Sequence, residues 1–237
     1  MAHKCVPPLL STLDSGQAQT ISQPITQQEL LLSIIEAKTG KSPGLDGLSI
    51  EFYTTFFQNI KTLLLAALNF LYKNGTTNTK IAEGAITLIH KKGDRKKISN
   101  YRPITLLNID YTILSKILNK RITPLLGQII SPLQNLQPSS STHMASAILR
   151  DAYYESHNKP IDPYLIAIDF KRAFDAIAHT WLIQVLQFFK FPQVFTNYID
   201  SIQQYSTSKI QVNSTLTDPF LSKKGSGRET LSAQHCL

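Results

Sequence analysis

Two aspartates six positions apart, Asp169 and Asp175, close an apolar run in the segment YLIAIDFKRAFDAI, residues 164–177. A carboxylate after a strand often does no more than cap a turn. At the end of a central strand the same group is held rigidly and faces the cleft beyond the sheet, where it suits a divalent cation. The alternating apolar residues predict a buried strand over Tyr164–Ile168, which would place Asp169 at that position. Phosphoryl transfer to a growing nucleic-acid chain commonly uses two metal ions ~3.5–4 Å apart, and their charge calls for carboxylates from neighbouring strands. One aspartate does not meet that need.

The second stretch with chemical character is basic. The chain carries a formal charge of +8, and between Lys80 and Arg121 there are ten Lys or Arg against three Asp or Glu. A clustered cationic segment points to a polyanionic partner, either nucleic acid or an anionic membrane. Lys91, Lys92 and Arg102 stand here with the aromatic Tyr101 between strand-like runs, which favours nucleic acid, because a membrane-binding segment would be an amphipathic helix. The competing reading is a solvated face.

These groups need elements to position them. AITLIH (85–90) and YRPITLL (101–107) read as two strands of a β-hairpin whose tip is KKGDRKK. Before it, Thr26-Gln27-Gln28-Glu29 is a capping box opening a helix expected to end near Gly40, and KSPGLDG (41–47) is a turn able to expose backbone amides. A long helix is expected from Ser49 to a stop at Gly75. Asp110 is placed to cap a further helix ending around Pro124. Helices follow at about 143–155, at TWLIQVLQFFKF and at PQVFTNYIDSIQQY, with short strands near 209–212 and 219–222. Residues 1–24, polar and broken by Pro7, Pro8 and Pro24, read as a poorly ordered lead-in.

At 237 residues and 42% hydrophobic, the chain can bury a proper core. Cys5 and Cys236 stand at opposite ends without partners at metal-ligand spacing, which argues against a zinc site or disulfide framework. No apolar run approaches a membrane span, and the expected setting is intracellular, in cytoplasm or nucleus, with no membrane partner.

KSPGLDGLSIEFY (41–53), AITLIHKKGDRKKISNYRPITLLNIDYTILSKILNKRI (85–122) and LIAIDFKRAFDAI (165–177) occur in an order that resembles the reverse transcriptases of non-LTR, LINE-type retrotransposons. The resemblance spans roughly residues 25–235. It implies an α+β, right-hand polymerase fold with fingers, a partial palm and no thumb. Residues 25–125 would be fingers with the basic hairpin, and 126–237 their continuation into an incomplete palm. It further implies that Asp169 is the catalytic carboxylate holding two Mg2+ ions, assisted by the backbone carbonyl of Phe170. Phe174 would pack on the sugar of the incoming nucleotide and exclude a 2′-hydroxyl, and Asp175 would be a structural acid. Arg102 would reach the triphosphate, with Lys91 and Lys92 as candidates for the same phosphates or the template backbone. The implied partners are an RNA template, a DNA primer and deoxynucleoside triphosphates.

The chain also departs from that pattern. GSGRETLSAQ (225–234) resembles the family's glycine-rich segment but is one residue short, and LQNLQPSSST lacks the glycine expected there. No Asp-Asp dipeptide occurs, so the F/Y-x-D-D hairpin that supplies the remaining carboxylates is missing. The expectation is a domain truncated before that motif, a decayed copy or a fragment, without polymerase activity on its own. The alternative is a non-catalytic nucleic-acid-binding remnant.

Overall fold

The computed structural model describes residues 11–75, 80–130, 142–157, 164, 166, 168, 177–213 and 215–221. Its helices are α1 Ser15–Ser22, α2 Gln27–Ile35, α3 Ile50–Thr55, α4 Phe57–Asn74, α5 Ile109–Ile129, α6 Thr142–His157, α7 His179–Phe188 and α8 Gln193–Tyr205. The strands are β1 Glu83–His90, β2 Tyr101–Leu106, β3 Thr207–Val212, β4 Thr215–Leu216 and β5 Phe220–Leu221. This mixed α and β composition agrees with the expected class.

The hairpin forms where alternation placed it. β1 and β2 pair antiparallel, with Ala85 opposite Leu106 at the root and His90 opposite Tyr101 at the tip. β3 then joins β1 in parallel, Glu83 opposite Thr207 and Thr87 opposite Gln211, giving the order β2-β1-β3-β4 with β5 also paired to β3. A parallel neighbour requires a long crossover. Here the chain between β1 and β3 includes α5, α7 and α8.

The core lies among the helices. Tyr111, Leu114 and Leu118 of α5, Leu30 and Ile34 of α2, Leu68 and Tyr72 of α4, and Tyr198 and Ile202 of α8 are all buried together. Polar groups inside it are used as clasps. Tyr72 donates its hydroxyl to the Ile21 carbonyl at 2.6 Å. Asn69 accepts from Ile25 N–H at 2.7 Å and donates to Ile25 O at 3.0 Å, so one amide satisfies both backbone groups of the link between α1 and α2.

Several elements differ from expectation. Within the supposed lead-in, α1 forms with a reciprocal capping box between Asp14 and Gln17, and Leu13 and Ile21 are buried. Its Gln-rich polar face hid a short apolar stripe. The capping box at Thr26 and Glu29 is present, but α2 stops at Ile35, before Gly40. The helix expected from Ser49 is interrupted at Phe56 (φ −96°, ψ 12°) after the β-branched pair Thr54-Thr55, and α4 ends at Gly75, whose φ of 73° explains the stop.

Asn108, not Asp110, occupies the N-cap position of α5; Asp110 is in the first turn and accepts from its neighbour Tyr111 N–H at 2.7 Å. Pro124 does not end α5. An internal proline costs about 3 kcal/mol, and burial of Ile129, with Ile122 and Leu125 packed on the core, carries the helix through it. The expected buried strand at 164–168 is not seen at its described positions. Tyr164, Ile166 and Ile168 are 90%, 79% and 74% exposed and outside any strand. Alternation makes a strand only where a neighbour offers a ladder, and none of the strand pairings of the described sheet includes these positions.

Candidate functional site

The tip of the β1–β2 hairpin is a closed loop rather than a loose basic tail. Lys91 N–H donates to Asn100 O at 2.8 Å, extending the ladder beyond His90 and Tyr101. Asp94 is the hub. Its carboxylate accepts from Lys96 N–H at 2.9 Å, and its carbonyl accepts from Lys97 N–H at 3.2 Å and from the Asn100 amide at 2.8 Å. The Tyr101 hydroxyl donates to Arg95 O at 3.0 Å, and His90 Nε2 lies 3.1 Å from Gly93 O. The His90 and Tyr101 rings meet edge to face with centroids 5.2 Å apart. Gly93 has a φ of 84°, and a Cβ there would lie 2.9 Å from Asn100 Nδ2. The turn needs glycine for both reasons.

This network turns the one acid of the tip onto the Lys96 backbone amide and leaves Lys91, Lys92, Arg95, Lys96 and Lys97 exposed. Five cations are thereby held on a short, ordered support. Arg102 lies opposite Ile89 on β2, exposed, and its register puts it on the face that also carries Thr87, Gln211 and Lys209. On that face Thr87 donates to Gln211 Oε1 at 3.3 Å, and Lys209 pairs with Glu83 at 3.0 Å. Lys209 is thus partly neutralised. A planar guanidinium on a rigid strand is suited to bridging phosphate oxygens.

The expectation that KSPGLDG exposes its amides meets a different arrangement. Gly47 N–H donates to Gly44 O at 3.2 Å, Leu48 N–H to the Asp46 carboxylate at 3.0 Å, and Asp46 N–H to Asn108 Oδ1 at 3.4 Å. The loop is a wedge under the hairpin root, not an anion cradle. Asn108, buried, holds it there while donating to Lys80 O at 3.3 Å, so one side chain joins the loop, the entry to β1 and the exit from β2. A Cβ on Gly44 would come within 2.2 Å of Asn108 Oδ1. Neither role had a local signal in the sequence, since the partners are 64 positions apart.

The structure therefore brings Lys91, Lys92 and Arg102 onto one hairpin. Asp169, Phe170, Phe174 and Asp175 lie outside the described residues. Among the described residues no group of three or more His, Cys, Asp or Glu could hold a metal ion. No described helix is long and apolar enough to cross a membrane.

Comparison with known proteins places these features in a family context. The family described as reverse transcriptase (RNA-dependent DNA polymerase) matches residues 89–225, more than half of the chain and including the hairpin tip. The chain is 29% identical over 217 residues to the transposon TX1 uncharacterized 149 kDa protein of Xenopus laevis, covering 91% of this chain and 17% of that one. It is 28% identical over 191 residues to the retrovirus-related Pol polyprotein from type-1 retrotransposable element R2 of Popillia japonica, covering 80% and 26%. The corresponding R2 polyprotein of Nasonia vitripennis is 22% identical over 200 residues, covering 84% and 19%. The chain spans roughly a quarter or less of the length of each of these relatives.

Proposed function

Because the chain belongs to the reverse transcriptase family of RNA-dependent DNA polymerases, of the non-LTR retrotransposon kind, we propose that its hairpin is the fingers element of a right-hand polymerase and grips RNA template and incoming nucleotide. The observation that carries this reading is the ordered basic tip together with Arg102 on the adjoining strand. Lys91 and Lys92 neutralise phosphates at the tip, and Arg102 takes the triphosphate of a deoxynucleotide. A DNA primer completes the partners.

In the same reading Asp169 and the carbonyl of Phe170 are the oxygen donors for Mg2+, a hard cation that prefers such ligands. When bound, the metal activates the primer hydroxyl and stabilises the leaving phosphate. Phe174 packs on the incoming sugar and rejects the 2′-hydroxyl, and Asp175 acts as a structural hydrogen-bonding acid. The 237 residues contain no Asp-Asp dipeptide. A single carboxylate leaves two divalent ions poorly compensated, and losing one electrostatic partner of a transition state costs ~2.7–4 kcal/mol. These residues alone therefore bind template without extending a primer.

The test is Mg2+-dependent primer extension on an RNA template, alongside RNA binding at several salt concentrations. Salt-sensitive binding without extension is expected. Extension that Asp169→Asn abolishes would overturn the inactivity of the isolated chain and support the role of Asp169.

A further inference from the structure

The tip carries one feature that phosphate binding does not use. Between Lys91 and Asn100 the residues are KKGDRKKISN, in which Ile98 is the only apolar side chain. It opens a single 3-10 turn, Ile98–Asn100, in which no residue is buried, and it is 76% exposed. Exposed apolar residues are common singly. What distinguishes this one is its support. The Asp94 hub, the Asn100 amide and the Tyr101 hydroxyl close the loop on both sides of it, so the backbone under Ile98 is fixed. Its β-branch stiffens the side chain as well.

We propose that Ile98 is a wedge: it enters the base stack at the junction of a nucleic-acid duplex and opens it ahead of the template strand held by the tip. The inference rests on the reading of the hairpin as a nucleic-acid surface and adds an activity to it, strand separation. Architectural proteins that kink duplexes insert an apolar wedge, isoleucine among them, between base steps and partly unstack them, while Lys and Arg neutralise the phosphates. The tip supplies both parts. Arg95, Lys96 and Lys97 precede Ile98 directly, and Lys91 and Lys92 lie across the loop. The unstacking that Ile98 enforces is offset by phosphate contacts of those five cations, and no base-specific group is needed. An anionic membrane is the less suitable target, since a lone isoleucine anchors weakly where stable attachment takes a broad apolar face.

The experiment uses the 237-residue chain and a forked RNA–DNA duplex carrying 2-aminopurine at the junction. Binding is followed by anisotropy and base unstacking by 2-aminopurine fluorescence. A fluorescence rise is expected on binding. Ile98→Ser should remove most of that rise while changing affinity by no more than about twofold, since the sequence-independent affinity comes from the phosphate contacts. Ile98→Val should retain it, and Lys96→Ala with Lys97→Ala should lower affinity. Saturated binding without a rise, or a rise that survives Ile98→Ser, would overturn the wedge while leaving the nucleic-acid reading intact. No binding at all would overturn both. Capture by phosphatidylserine-containing vesicles, lost in Ile98→Ser and without any rise at the fork, would assign the tip to a membrane and overturn the proposal.

Discussion

Arg121 grips Glu29 with two prongs, Nε to Oε1 at 2.7 Å and Nη2 to Oε2 at 2.8 Å. The same guanidinium donates to the carbonyls of Ile21, Gln23 and Pro24. It thereby satisfies backbone acceptors left over after α1 while bracing the capping box that starts α2. The Arg121 side chain is largely buried, and its loss takes both guanidinium bonds from Glu29 and the arginine donor from the Gln23 and Pro24 carbonyls, while Ile21 O keeps Tyr72 and Glu29 keeps Thr26. Arg121→Ala is expected to cost about 1.5–3 kcal/mol, the range for hydrogen bonds to a charged group, because Glu29 is partly exposed and water can take up some of the lost contacts. Arg121→Lys should recover little, because an ammonium cannot reproduce the fork. Urea unfolding of both variants measures this.

Opposite pH responses are expected from two acids. Burial alone would raise the Glu29 carboxyl, but hydrogen bonds from Arg121 and Thr26 outweigh it and hold the group below its ordinary range. Its contribution to stability is then present above the unfolded carboxylate pKa and is lost as pH falls through the lower folded value. For Asp110, burial is the main cause of a raised pKa, with the nearby Asp46 charge adding to it and the Tyr111 amide opposing it. Its stabilising form is the protonated one, complete below the unfolded pKa and lost as pH rises through the higher folded value. Asp110→Asn should therefore stabilise the protein at neutral pH, with the gain disappearing in acid. Glu29→Gln should destabilise at neutral pH and converge with the parent in acid. Denaturation midpoints across the acid range check both signs.

The contact of Gly44 with Asn108 leaves no room for a side chain. A methyl there would meet Asn108 Oδ1 at 2.2 Å and its backbone N and Cα at 2.6 and 2.7 Å. Backbone atoms cannot rotate away, so the loop or the hairpin root must shift. Gly44→Ala is expected to cost about 1–3 kcal/mol, the usual range for overpacking. Gly127→Ala, in open space on α5, should not destabilise and serves as the control. Thermal unfolding distinguishes them.

How far these features were legible in the sequence depends on how local their causes are. The capping box at Thr26, the stop at Gly75 and the β1–β2 hairpin follow from neighbouring residues and were readable as such. Helix α1 and the passage of α5 through Pro124 depend on burial against distant elements, which overrides local propensity. The parallel pairing of β1 with β3 joins residues more than a hundred positions apart, and nothing in either strand names the other. Within the candidate site, the cations were visible as a charge cluster. The closed loop that holds them was not, because the Asp94 carboxylate and the Asn100 amide take backbone groups as partners, which any sequence possesses.

The loop's cations make a quantitative prediction about binding. Each phosphate neutralised on duplex nucleic acid contributes about 0.9 to the slope of log affinity against log salt, and on single strands about 0.7. If Lys91 and Lys92 each meet a phosphate, replacing both with Ala should lower the single-strand slope by about 1.4. Asp94→Ala acts differently. It removes the acceptor of Lys96 N–H but also the only negative charge of the tip, so simple electrostatics predicts tighter binding. If order matters, affinity instead falls despite the gain in net positive charge, because the five cations no longer share one geometry. Asp94→Asn separates these effects, since it loses the charge yet keeps an oxygen that can accept from Lys96. The expected order of RNA affinity is Asp94→Asn first, the parent second and Asp94→Ala last, measured by filter binding at fixed salt. Tighter binding by Asp94→Ala than by the parent would mean that charge alone, and not the closed loop, governs the interface.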